Sequence, residues 1–78
     1  MLSQIHYELL QPSRIMLKHI FEGGSAHHVP LDLYHKINNE MGLMPLDRNC
    51  NACNMELCKN LFQLMLNYEK DNGATIRN

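Results

Sequence analysis

Apolar side chains recur along this chain at spacings of three and four and never alternate with period two, so every segment reads as helix. Over residues 2–22, Leu2, Ile5, Leu9, Met16 and Ile20 share one helical face, with Leu10, Leu17 and Phe21 beside it. Pro12 interrupts this stretch, because proline removes a backbone donor and disfavours α geometry at Gln11. The stripe keeps its phase across the break, which predicts one kinked helix or two short ones, ended by Gly23-Gly24.

Residues 25–29 read as a loop. Pro30 suits a first helical position, and Asp32 favours the positive end of a helix dipole, so a second helix is expected over 30–41. Its apolar face is Leu33, Tyr34, Ile37 and Met41. Gly42 fits the left-handed position after it, Leu43 is placed to fold back on Ile37, and Pro45 blocks continuation. A third helix is expected to start between Asp47 and Asn51, where several residues can cap, and to run to about Asp71 with Gly73 as its stop. It carries two stripes: Cys50, Cys53, Leu57, Leu61, Leu64 and Tyr68, and then Met55, Cys58, Phe62 and Met65, with Leu66 extending the apolar surface. The expected fold is all-α, a small bundle of three to four helices with the first broken at Pro12. It forms a single helical domain over 1–73 with a frayed C-terminal tail over 74–78.

Length changes the picture. A chain of 78 residues buries only roughly 60% of the surface its unfolded form exposes, and its core seldom supplies more than about 3–5 kcal/mol. The third helix is apolar over more of its circumference than a two-layer monomer needs. The second stripe, Met55, Cys58, Phe62 and Met65, is therefore assigned to an interface with a second copy, each large side chain contributing roughly 1.5–3 kcal/mol when buried. Met44, Met55 and Met65 are candidates for adaptable contact surface.

Charge narrows the partners. Seven Lys and Arg are scattered among eight Asp and Glu, for a net charge of −1, and no basic patch exists to neutralise phosphates. Asn49, Asn51 and Asn54 carry groups that read adenine edges, but the connection from Gly42 to Asn49 is too long for a helix-turn-helix. No apolar run approaches the roughly 20 residues of a membrane span, and no signal peptide is recognised. A cytoplasmic location with reduced thiols is expected; three cysteines, an odd number, argue against a disulfide framework.

The cysteines are the main chemical signal: Cys50-x2-Cys53-x4-Cys58. A zinc reading pairs Cys50 and Cys53 as thiolates at a helix N-terminus, completed from Cys58, His27, His28 or His35. On one straight helix, however, Cys53 and Cys58 point about 140° apart, and no second paired half exists. The favoured expectation is that all three are small buried core residues and that no metal or other cofactor is bound. A Cys50–His27 nucleophile pair lacks an orienting third group, and Gly23-Gly24-Ser25 lacks the strand and lysine of a phosphate loop, so no enzyme activity is expected. A Cys-x2-Cys at the head of a C-terminal helix in so short a chain resembles small open reading frames of bacteriophages and other mobile elements. The resemblance implies an accessory or inhibitory role and transfers no functional residue.

The leading expectation is thus a self-associating, non-enzymatic helical module that acts by binding a partner protein. One alternative is a nucleotide sponge with pockets at an oligomer interface, drawing polar groups from His27, His28, Arg14 or Arg48 and stacking a base on Tyr34 or Tyr68. Another is a zinc-stabilised adaptor. Metal separates these readings, because in a small domain metal-binding energy becomes folding energy. Purified protein is expected to carry well under one zinc per chain and to keep its helical circular dichroism in EDTA; stoichiometric zinc lost together with helicity would restore the adaptor.

Overall fold

The structure, a computed structural model, describes residues 2–25, 28–43, 47 and 49–73. Ser3 opens α1 (Gln4–Leu10) by accepting the His6 amide on its hydroxyl at 3.1 Å, satisfying one of the free donors of the first turn. The expected break falls at Pro12. Gln11–Ser13 form a single 3-10 turn with the proline near its start, and α2 (Arg14–Phe21) leaves from it. The end of α2 satisfies its carbonyls through two bonds, from Gly24 N–H to His19 C=O at 2.9 Å and from Gly23 N–H to Ile20 C=O at 3.0 Å. That pattern requires a left-handed residue, and Gly23 sits at φ +98°. The same pair of bonds closes α3 (Leu31–Glu40), from Leu43 to Asn38 and from Gly42 to Asn39, as the glycine at 42 predicts. Pro30 lies one residue before this helix rather than at its first position. The last helix, α4 (Asn51–Asp71), starts and ends within the expected limits. Among the described residues the chain is helical with no strand, and no helix is long and apolar enough to cross a membrane. The 74–78 tail, Met44 and Pro45 lie outside the described residues.

The 21 residues of α4 make it the axis of the fold, roughly 30 Å long at 1.5 Å per residue. α2 and α3 both pack on it. Leu10, Leu17, Tyr34, Ile37, Leu57, Leu61 and Met65 are fully buried between them. Two expectations fail here. The first is the inward face of the N-terminal segment. Ile5 is 71% exposed and Leu9 also faces solvent, whereas Tyr7, Leu10, Ser13, Leu17 and Ile20 point inward. Their spacing of three through the break reflects the tighter 3-10 turn, which advances about 120° per residue instead of 100°. Tyr7, an aromatic with a polar tip, selects the face by stacking on Tyr68 at 4.3 Å between ring centroids.

The second correction concerns the stripe assigned to a second copy. Cys58, Phe62 and Met65 are buried within the single chain, and only Met55 is exposed, at 44%. The two-layer picture underestimated how much of α4 is covered: the Phe21 ring packs on Phe62 at 5.2 Å, and the Arg14 guanidinium lies 5.5 Å over the same ring. Apart from Met55, the stripe assigned to a second copy is covered by the chain's own helices.

A charged cluster fastens the N-terminal half to the far end of α4. Arg14 donates from Nε and an η nitrogen to the two carboxylate oxygens of Glu69 at 2.8 and 2.9 Å, and the Tyr7 hydroxyl donates to the same carboxylate at 2.8 Å. These hydrogen bonds hold Glu69 below its ordinary carboxylate range, chiefly through Arg14. Burial, then the neighbouring carboxylate, pushes Tyr7 up to about 12. On the other side, His6 and Glu40 pair at 2.8 Å and link α1 to α3.

The sign of the pH dependence follows. Glu69, lowered in the fold, contributes stability above the ordinary carboxylate pKa of about 4.3 and loses it as pH falls through the lowered value. Tyr7, raised, contributes stability that is complete below about pH 10 and lost as pH rises toward 12. Glu69→Gln is expected to cost about 1–3 kcal/mol, less than a fully buried pair because the Arg14 side chain keeps 21% of its surface in water. Urea denaturation at neutral and acid pH checks this: the variant should lose stability at pH 7 and show a shallower acid limb, and an unchanged acid limb would disprove the role given to Glu69.

Candidate functional site

The head of α4 is built by a short loop that turns on Asp47. Asn49 N–H donates to the Asp47 carboxylate at 2.9 Å, and Cys50 N–H donates to the Asp47 carbonyl at 3.1 Å. This leaves Cys50 extended, at φ −96° and ψ 106°, as the capping residue before Asn51. Its sulfur accepts the Cys53 amide at 3.1 Å, in the place where a serine hydroxyl usually caps. Capping residue and third helical residue thus lie on the same turn, with Cα atoms 5.1 Å apart, inside the range a disulfide spans. Cys50 and Cys53 are joined by one.

This corrects the expected cysteine set. Three equivalent reduced core residues were expected; the structure divides them into a half-buried surface disulfide and one free thiol, Cys58, which is in the core. An odd count argues against a framework but says nothing against one local pair. The disulfide joins no two elements. Closing a four-residue loop restricts the unfolded chain by about 2 kcal/mol, against about 3 for a 15-residue loop, so the fold does not hang on it. The zinc set is dispersed in this state. Cys50 and Cys53 have no thiolate to donate, and burial pushes the Cys58 thiol up to about 11, so it stays protonated at neutral pH. His35 is buried with Nε2 donating to Asn54 Oδ1 at 2.8 Å, His28 is exposed, and His27 lies outside the described residues. Among the described residues no three His, Cys, Asp or Glu groups gather around one point.

Beside the disulfide lies an open cleft of about 260 Å³. Ile20 of α2, Val29 ahead of α3, Leu31 at the start of α3, and Met55 and Cys58 of α4 give it apolar walls, while Ser25, Asn51 and Asn54 add neutral polar edges. Gly24 lines it too, in a tight turn where a Cβ would run into the His19 ring. None of the described lining residues is charged.

The residues expected to hold a nucleotide are not brought together. Arg14 is committed to Glu69, and Tyr68 stacks on Tyr7. Tyr34 is fully buried, with a hydroxyl that has no hydrogen-bond partner of ordinary geometry and with Ser13 beside it; burial raises its pKa. His28 sits in the loop at φ 59°, and His27 and Arg48 lie outside the described residues. The cleft itself was not legible in the sequence, because Ser25 and Val29 come from a loop, and Leu31 from the start of α3, that lie 20 or more residues from the α4 residues facing them. The disulfide had a signal: Cys-x2-Cys at a helix N-terminus is the spacing of redox-active pairs. Comparison with protein families, with characterised proteins and with solved structures returns no match to this chain.

Because the disulfide clips only one turn, reduction is expected to leave the helical circular dichroism unchanged and to cost no more than about 2 kcal/mol. Thermal melts with and without dithiothreitol check this; loss of helicity on reduction would make the disulfide a structural staple.

Proposed function

We propose that this protein is a small, non-enzymatic helical binding module that takes apolar side chains of a partner protein into the cleft at the head of α4. The observation that supports this most is a cleft with apolar walls and no charged group among its described lining residues, rimmed by the exposed Met55. Its volume, about 260 Å³, falls below the ~300–1,000 Å³ of small-ligand sites. Its described lining residues offer no cation for phosphate and no exposed ring for a base. Those features disfavour the nucleotide sponge and suit one or two anchoring side chains of a protein. Methionine adapts its shape to such an anchor, and the Ser25 and Asn51 side chains can pair with the amides of the segment that carries it. With a net charge of −1, long-range steering is weak and recognition is short-ranged. A module of this size acts by occupying its partner's surface, which is the accessory or inhibitory role that the cysteine pattern's resemblance implies.

Selection of a displayed random-peptide library on the purified chain tests the proposal. Enriched peptides should carry two or more apolar residues close together and little net charge. Met55→Asp, a change at an exposed position, should weaken their binding more than about tenfold while circular dichroism stays the same. Sedimentation equilibrium on the same samples reports whether a second copy is the partner. Enrichment of charged peptides alone, or equal binding by the variant, would overturn the reading.

A further inference from the structure

We infer that Cys50 and Cys53 form a reversible dithiol–disulfide site that exchanges with small or protein disulfides, Cys50 being the nucleophile and Cys53 the resolving thiol. The pair differs from a structural disulfide in three respects. Both of its cysteines are half-buried, outside the core. It closes a four-residue loop and connects no two elements, so the fold does not oppose its opening. Its first sulfur is the cap of a 21-residue helix and accepts the Cys53 amide at 3.1 Å, an arrangement that favours negative charge on that atom once the bond is open. No acidic residue stands in the first turn of α4 to oppose that charge. The third cysteine is kept apart in the core, protonated by burial, and does not compete.

The chemistry balances as two exchanges. In the reduced chain, the Cys50 thiolate attacks one sulfur of an external disulfide, forming a mixed disulfide and releasing one thiolate. The Cys53 thiol gives its proton to solvent and attacks the Cys50 sulfur, which closes the Cys50–Cys53 bond and releases the second thiolate. Two thiols of the protein are oxidised and one external disulfide is reduced to two thiols; an excess of external thiol runs the sequence backwards. The inference stands on the disulfide and the helix start, and does not depend on what the neighbouring cleft binds.

The test uses the full chain, reduced with dithiothreitol, freed of it and mixed with oxidised glutathione. Acid-quenched samples are mapped by mass spectrometry. The wild type should regain the Cys50–Cys53 disulfide through a transient adduct on Cys50, with Cys58 unmodified. Cys53→Ser should accumulate the Cys50–glutathione adduct. Cys50→Ser, which keeps a good helix cap, should form an adduct on Cys53 at least about tenfold more slowly. Circular dichroism of each variant establishes that it is folded, and the wild-type mapping decides the assignment even if a variant is not. Failure of the folded, reduced wild type to re-form the disulfide would overturn the site. A first adduct on Cys53, equal rates in the two variants, or stoichiometric zinc that blocks oxidation would overturn it equally.

Discussion

The carboxylate of Glu69 accepts hydrogen bonds from Tyr7 and from two nitrogens of Arg14, and most of the architecture follows from that contact. It joins residues 62 and 55 positions apart, on α1, α2 and α4. With Glu69 holding Tyr7, the Tyr7 ring lies on Tyr68 and α1 turns Leu10 inward and Ile5 outward. With Arg14 held, its guanidinium covers Phe62, and α2 lies along α4 with Leu17 and Ile20 in the core. A half-buried charge is costly without a partner, so Arg14 and Glu69 depend on each other, and the neutral Tyr7 hydroxyl adds a third hydrogen bond to the same carboxylate.

That contact sits near the C-terminal end of α4, and the candidate chemistry sits at the other. Cys50 and Glu69 are 19 residues apart, roughly 28 Å along the helix. The fastened end carries charge, stacked aromatics and the packing of α2. The N-terminal end carries a disulfide confined to one turn and a cleft, uncharged among its described lining residues, that Val29 and the first residue of α3, Leu31, help to wall. Changes of redox state or occupancy at the head of the helix therefore need not disturb the interactions that hold the fold. A small domain can keep a reactive site under these conditions because its stability is located elsewhere.

The two proposals use different properties of the same turn. Binding depends on uncovered apolar surface at Met55 and its neighbours. Exchange depends on the capping geometry of Cys50 and on the short loop to Cys53. Asn51 lies beside both, between the two cysteines in sequence and on the edge of the cleft.

The sequence by itself determined where helices begin and stop. Pro12 breaks the first segment because a proline lacks the donor that the helix needs there. Gly23 and Gly42 end α2 and α3 because a left-handed residue costs them little. These are local events, decided by neighbours within about four residues, and the bounds of α4 were legible for the same reason. Tertiary structure alone decided which apolar positions are buried. Ile5 and Tyr7 are equally plausible inward residues until Tyr68 and Glu69 are brought to one of them. Phe62 and Met65 looked like surface for a second copy until α2 and α3 covered both sides of α4. The cysteines divide the same way. Their spacing placed Cys50 and Cys53 at a helix start, but their bonding to each other, with Cys58 withdrawn into the core, depended on how the loop at Asp47 delivers Cys50 to the first turn. Burial and pairing are properties of two surfaces, and a one-dimensional pattern records only one of them.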